Sequence, residues 1–106
     1  MTIQDLHIDR ERIAELCRRY DVARLELFGS FVRGDAQPDS DLDVLVTFLP
    51  GREPGIEYIA FALELQTLVG RKVDLLTREA VETSDNPWFK SEALKNVEEL
   101  YRDPAA

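Results

Sequence analysis

Residues 25–48 read LELFGSFVRGDAQPDSDLDVLVTF, and the two ends of this stretch decide the fold. The first end is an apolar run that stops at Gly29-Ser30. The second carries Asp41-Leu42-Asp43 into Val44-Leu45-Val46. Side chains alternate along a strand, so Asp41 and Asp43 share one face with Leu42 on the other. Neighbouring carboxylates repel unless something neutralises them. A divalent cation suits, because Mg²⁺ takes carboxylate oxygens and completes its shell with water and substrate phosphate. Gly29-Ser30 offers the complementary half: glycine admits a close backbone approach, and amides at a strand-to-helix turn attract anions. The pair reads as a nucleotide-handling centre.

Working outward, Arg24 to Phe28 is the first strand and residues 41–48 the second. The second is apolar on both faces after the aspartates, as expected of a central strand covered by helices. Between them, Phe31 to Gly34 is a short helical turn, and residues 35–40 (DAQPDS) are turn chemistry throughout. Upstream, Ile13, Leu16, Cys17 and Tyr20 recur at helical spacing behind a candidate N-cap, Asp9, with Arg18 and Arg19 in the last turn. The charged residues of that segment decorate its outer face, and residues 1–8 form a lead-in of no clear type.

Downstream, Pro50 to Gly55 is a loop, and Ile56 to Val69 a helix stopped by Gly70. That helix carries Ile56, Ile59 and Leu63 on one side, with Phe61, Leu65 and Leu68 nearby. Lys72 to Thr77 is a third strand holding Asp74, followed by a polar connection through Thr83-Ser84-Asp85. Asn86-Pro87 starts a last helix, cap then N1 proline, whose buried stripe is Phe89, Ala93, Val97, Leu100 and Tyr101. The expected order is α-β-α-β-α-β-α: three strands packed with helices in an α/β (α+β) domain.

The totals bound the reading. One hundred and six residues make a single domain, 1–106, and 44% apolar residues are enough for a globular core. A formal net charge of −8, from 21 acidic against 13 basic residues, argues against direct nucleic-acid binding, which needs concentrated Lys and Arg. It leaves nucleotides open, because a bound divalent ion reverses the local sign, and it suits a basic protein partner. The single cysteine, Cys17, excludes an internal disulfide framework and is read as core packing. Without a signal peptide or a long apolar run, a cytoplasmic protein with no membrane association is expected.

Gly29-Ser30, ten residues, then Asp41-x-Asp43, with Val73-Asp74-Leu75 further on, resembles the signature of the polymerase-β-type nucleotidyltransferases. The small size is similar to their minimal nucleotidyltransferase (MNT) branch, whose members are paired with HEPN-domain toxins. The resemblance implies a mixed rather than purely parallel three-stranded sheet, and one or two Mg²⁺ ions on Asp41, Asp43 and Asp74. It also implies an ATP or other NTP whose outer phosphates lie against Gly29 and Ser30. Two ions about 3.5–4 Å apart clamp the attacking and leaving oxygens of an in-line displacement. Against the metal reading, Asp41 ends a turn, Asp43 is a solvated edge residue and Asp74 pairs with Arg71 or Lys72. An apolar strand is nevertheless a poor place for an uncompensated Asp74.

Arg33 is either a phosphate contact or an exposed partner of Asp35 or Asp39. Ser40 either meets a phosphate or caps its turn. Phe31 departs from the family, which often carries a basic residue there. His7 is read as a surface histidine and Trp88-Phe89 as core in preference to a partner patch. With every element consumed by the catalytic core, the acceptor is expected to be brought by another protein. The resemblance supplies one version: AMP transferred from ATP to a tyrosine of a HEPN ribonuclease toxin, so that the protein is the antitoxin and can form an oligomer with its toxin. Two alternatives stand beside it, a non-catalytic antitoxin that neutralises by binding and a small-molecule (antibiotic) nucleotidyltransferase.

Overall fold

A computed structural model describes residues 1–105. The helix α1 (Arg10–Arg19) starts where Asp9 accepts hydrogen bonds from the amides of Glu11 and Arg12, and it buries Ile13, Leu16 and Cys17. A single 3-10 turn at Ile3–Asp5 precedes it. Strand β1 (Val22–Phe28) follows, then the four-residue helix α2 (Ser30–Arg33) and strand β2 (Leu42–Phe48). After these come α3 (Glu57–Val69), β3 (Val73–Thr77), α4 (Arg78–Glu82), α5 (Pro87–Lys95) and β4 (Glu98–Arg102).

The sheet runs β3-β2-β1-β4. β2 pairs antiparallel with β1 and parallel with β3, and β4 runs antiparallel along the far edge of β1. The sheet is therefore mixed, but it has four strands where three were expected. The fourth comes from the end of the segment read as the last helix. Asn96 leaves helical geometry at φ −135°, ψ 109°, and Leu25 of β1 comes to face Tyr101 of β4. The spacing of Phe89, Ala93, Val97 and Leu100 is helical, yet β1 had an open edge whose amides and carbonyls needed partners. That demand lies outside the local sequence. A further helix, α4, occupies part of the expected polar connection, capped by Thr77 Oγ1 accepting from the Ala80 amide.

Alternation along β2 sorts the two layers. Leu42, Val44 and Val46 join Leu25 and Leu27 of β1 in a core closed by Ile13, Leu16, Phe61 and Leu65 from α1 and α3. On the opposite face Leu45 and Phe28 pack with Val81 of α4 and Ala93 of α5, and Leu76, Phe89 and Val97 flank them. Both faces of β2 are covered, which explains its continuous apolar run.

Helix α3 turns one of its two apolar sides to the sheet and leaves the other in water. Ile56, Ile59 and Leu63 are 82%, 61% and 57% exposed, while Phe61, Leu65 and Val69 are buried. Apolar residues spread over most of its circumference, so local pattern named no single face; packing against the core of α1, β1 and β2 chose one. Among the described residues, no helix is long and apolar enough to cross a membrane.

Candidate active site

The second sheet face, the one covered by α4 and α5, carries the carboxylates. Asp43 is the second residue of β2; across the ladder it faces Phe28 of β1 on one side and Asp74 of β3 on the other. The parallel register of β2 and β3 thus sets two acidic side chains next to each other at the ends of adjacent strands. Asp43 is half-buried in the centre of the sheet rather than at an edge. Asp74 lies on the edge strand β3 and is exposed. An apolar strand had suggested a buried Asp74; the edge position supplies water instead, and Asp74 forms no ion pair with Arg71 or Lys72 among the described residues.

Asp43 bears the electrostatic consequence. Burial, followed by the charges of Asp74 and Asp41, pushes its carboxyl up to about 6, against the opposing pull of Arg33 and of the Ser30 amide. A carboxyl whose proton affinity is raised by neighbouring carboxylates sits where a cation is welcome.

Gly29 sits beneath this carboxylate. Its backbone, at φ 76° and ψ −150°, lies in a region essentially closed to other residues. A Cβ there would land on Asp43 Oδ2 and stand 2.9 Å from its Cγ. The glycine expected to admit a phosphate therefore admits Asp43 first. Ser30 opens α2, whose last two amides, from Val32 and Arg33, bond back to the Gly29 carbonyl.

A cavity of about 240 Å³ joins Gly29, Arg33, Asp43 and Asp74 to Phe28, Leu76 and the face of α5 carrying Trp88, Phe89, Glu92 and Ala93. Arg33 lines it and also reaches Asp35 with a 3.4 Å ion pair, one of the two acidic partners expected for it. Asp41 and Ser40 line a second depression, of about 260 Å³, with Pro38, Asp39, Gly70, Arg71 and Lys72, and Asp41 stays close enough for its charge to act on Asp43. The Ser40 hydroxyl accepts from the Gln37 amide at 2.8 Å and so caps its turn.

Among the described residues, no three His, Cys, Asp or Glu side chains converge into a ready-made metal cluster. The donor set nonetheless fits a hard cation. Asp43 and Asp74 are adjacent carboxylates and Asp41 acts on the first of them; all are oxygen donors, and Mg²⁺ binds through one or two carboxylates plus substrate phosphate.

Three features escaped the sequence reading. Arg71 donates to the carbonyls of Pro38 and Ser40, both at 2.8 Å, and its guanidinium lies 4.8 Å from the ring centre of buried Phe31. It pins the turn before Asp41, and Phe31 serves as its platform. Trp88, expected in the core, is 71% exposed at the cavity rim. Glu26 is buried between Arg78 at 2.7 Å and Arg24 at 3.2 Å. A lone Glu inside LELF was a visible signal of such pairing.

The family description "Nucleotidyltransferase domain" matches residues 10–100 of the chain. The chain belongs to the nucleotidyltransferase domain family. Among its relatives, a Methanocaldococcus jannaschii protein named for an expected protein adenylyltransferase activity is 35% identical over 82 residues, covering 76% of this chain and 75% of its own. The protein adenylyltransferase MntA of Thermococcus cleftensis is 37% identical over 71 residues, covering 65% of this chain and 69% of its own. The solved complex of a tri-AMPylated Shewanella oneidensis HEPN toxin with its MNT antitoxin contains a similar fold. It has a TM-score of 0.57 at 17% identity and covers 91% of this chain and 71% of that one. As a nucleotidyltransferase this enzyme places its strand-end carboxylates in the open cavity between β1, β2, β3 and α5.

Proposed function

We propose that this nucleotidyltransferase moves AMP from ATP to a tyrosine hydroxyl of a HEPN-type ribonuclease partner and acts as its antitoxin. The observation that carries this reading is the side-by-side placement of Asp43 and Asp74 at the mouth of a cavity that also holds Gly29 and Arg33. The names of the relatives support the adenylyl group and the protein acceptor.

In this reading Asp41, Asp43 and Asp74 hold one or two Mg²⁺ ions. The metal, when bound, neutralises phosphate charge and the repulsion among the carboxylates. The Gly29-Ser30 turn and Arg33 bind the outer phosphates, and Ser40 keeps the turn ahead of Asp41 in shape. Asp74, exposed at the edge, accepts the proton of the incoming hydroxyl. The hydroxyl oxygen forms its bond to the α-phosphorus, the bond from that phosphorus to the α–β bridging oxygen breaks, and pyrophosphate leaves. Positioning and charge do most of this work, as in phosphoryl transfer generally.

The test is the intact mass of the co-expressed HEPN partner after incubation with the enzyme, Mg²⁺ and each NTP in turn. One or more added AMP units, absent with Asp43→Asn, are expected. A second reading, neutralisation by contact alone, draws on the exposed row formed by Ile56, which precedes α3, and Ile59 and Leu63 of α3. It predicts an unmodified partner in a stable complex, with toxicity still suppressed when Asp41, Asp43 and Asp74 are all changed to Asn.

A further inference from the structure

The cavity has two kinds of lining. Gly29, Arg33, Asp43 and Asp74 come from the strand ends and α2; Trp88, Phe89, Glu92 and Ala93 come from α5. Trp88 and Glu92 are four residues apart on α5 and so lie on one helix face. Of the four exposed large apolar side chains in the described residues, Trp88 alone borders this cavity. An indole left in water beside carboxylates is a poor contribution to folding, and a good one to binding a flat aromatic ligand.

A nucleotide has the same division, phosphates at one end and a flat π-system at the other. At about 240 Å³ the cavity falls below the about 300–1,000 Å³ usual for whole small-molecule sites. A cavity of that size encloses part of a nucleotide and leaves the rest in the open.

We infer that the α5 wall of the cavity seats the nucleobase, with the Trp88 indole as stacking platform and Glu92 as acceptor for an exocyclic amino group. This assignment rests on the proposed nucleotidyl transfer and adds base selection to it. Stacking on an aromatic tolerates any base, because each has a π-face. Discrimination therefore falls to Glu92, a carboxylate that accepts but does not donate. It favours adenine, which presents an amino group, over hypoxanthine, which presents a carbonyl at the same position.

Trp88 is the chain's single tryptophan, so its fluorescence reports the seat directly. ATP and inosine triphosphate are titrated with Mg²⁺ against the wild type by fluorescence. Calorimetry then compares the wild type with Trp88→Ala, Trp88→Phe and Glu92→Ala. The expected results are quenching by ATP and a Kd raised about 5- to 150-fold in Trp88→Ala, the range for loss of one stacked base. Trp88→Phe retains most of the affinity, and Glu92→Ala loses the preference for ATP over inosine triphosphate. ATP binding unchanged in Trp88→Ala, with slower transfer to the partner, would assign Trp88 to the acceptor and overturn the inference alone. A wild type that binds neither nucleotide would overturn both it and the proposed transfer.

Discussion

Two residues carry the most exposed tests of the site. Gly29 has a positive φ and no room for a Cβ beneath Asp43. Gly29→Ala is expected to cost about 1–3 kcal/mol from backbone strain. Because the clash falls on the Asp43 carboxylate itself, transfer should drop at least about 100-fold, as expected when a reacting group is misplaced by about 1 Å. Chemical denaturation and the partner mass assay read the two effects separately. Asp43 gives a pH test. Its carboxyl is raised to about 6 in the fold from an ordinary 3.8, so between these values the folded state binds more protons than the unfolded one. Stability of the metal-free protein therefore falls as pH rises from about 4 to about 6, and the deficit persists above. In EDTA at pH 7.5, Asp43→Asn should be more stable than the wild type by about 1 kcal/mol, after allowing for solvent screening of a half-buried group. The difference should vanish below pH 4. A Tm for Asp43→Asn equal to or below the wild type at pH 7.5 would contradict this account.

Among elements, α3 and α4 separate pattern from packing. In α3 the exposed Ile59 and the buried Phe61 are both large and apolar, and only their positions on the sheet differ. Ile59→Ser should change unfolding free energy by no more than about 0.5 kcal/mol, whereas Phe61→Ala should cost about 3–5 kcal/mol. Equal losses in denaturant titrations would mean that α3 is turned the other way. Helix α4 is tied to the sheet by the Arg78–Glu26 ion pair, with Arg78 also reaching Glu82 at 3.3 Å. Removing one partner strands a buried charge, although Arg24 still offers Glu26 partial compensation. Arg78→Ala is therefore expected to cost about 2 kcal/mol, and Arg78→Met with Glu26→Leu together to recover most of it. Because α4 leads into α5, the loosened single variant should also bind nucleotide less tightly in calorimetry.

At the scale of the molecule, a chain of net charge −8 holds together against its own repulsion, and its acidic site adds to that load. A cation that binds only the folded state stabilises it by mass action. Millimolar Mg²⁺ should raise the Tm of the wild type, while Asp43→Asn responds weakly or not at all. Equal responses would place the ion on the general acidic surface instead of at the strand ends. Each part of the wild-type response that survives in about 0.5 M monovalent salt belongs to the specific site, since exposed charges are screened there.

The local chemistry of this chain determined most of its elements and the residues that meet at the strand ends. Asp9 and Asn86 cap helices, Gly70 ends one, and the DLD run enters a strand, because caps, turns and alternation act over a few residues. The pairing of Asp43 with Asp74 needed the parallel register of β2 and β3, which no local pattern encodes. Tertiary structure also turned residues 98–102 from a helical pattern into an edge strand, since the open side of β1 required hydrogen-bond partners. It chose which apolar face of α3 to bury, and it left Trp88 at the cavity rim when Phe89 and Ala93 took the inner side of α5. Each of those outcomes depends on what stands across the gap, and distance along the chain carries no record of that.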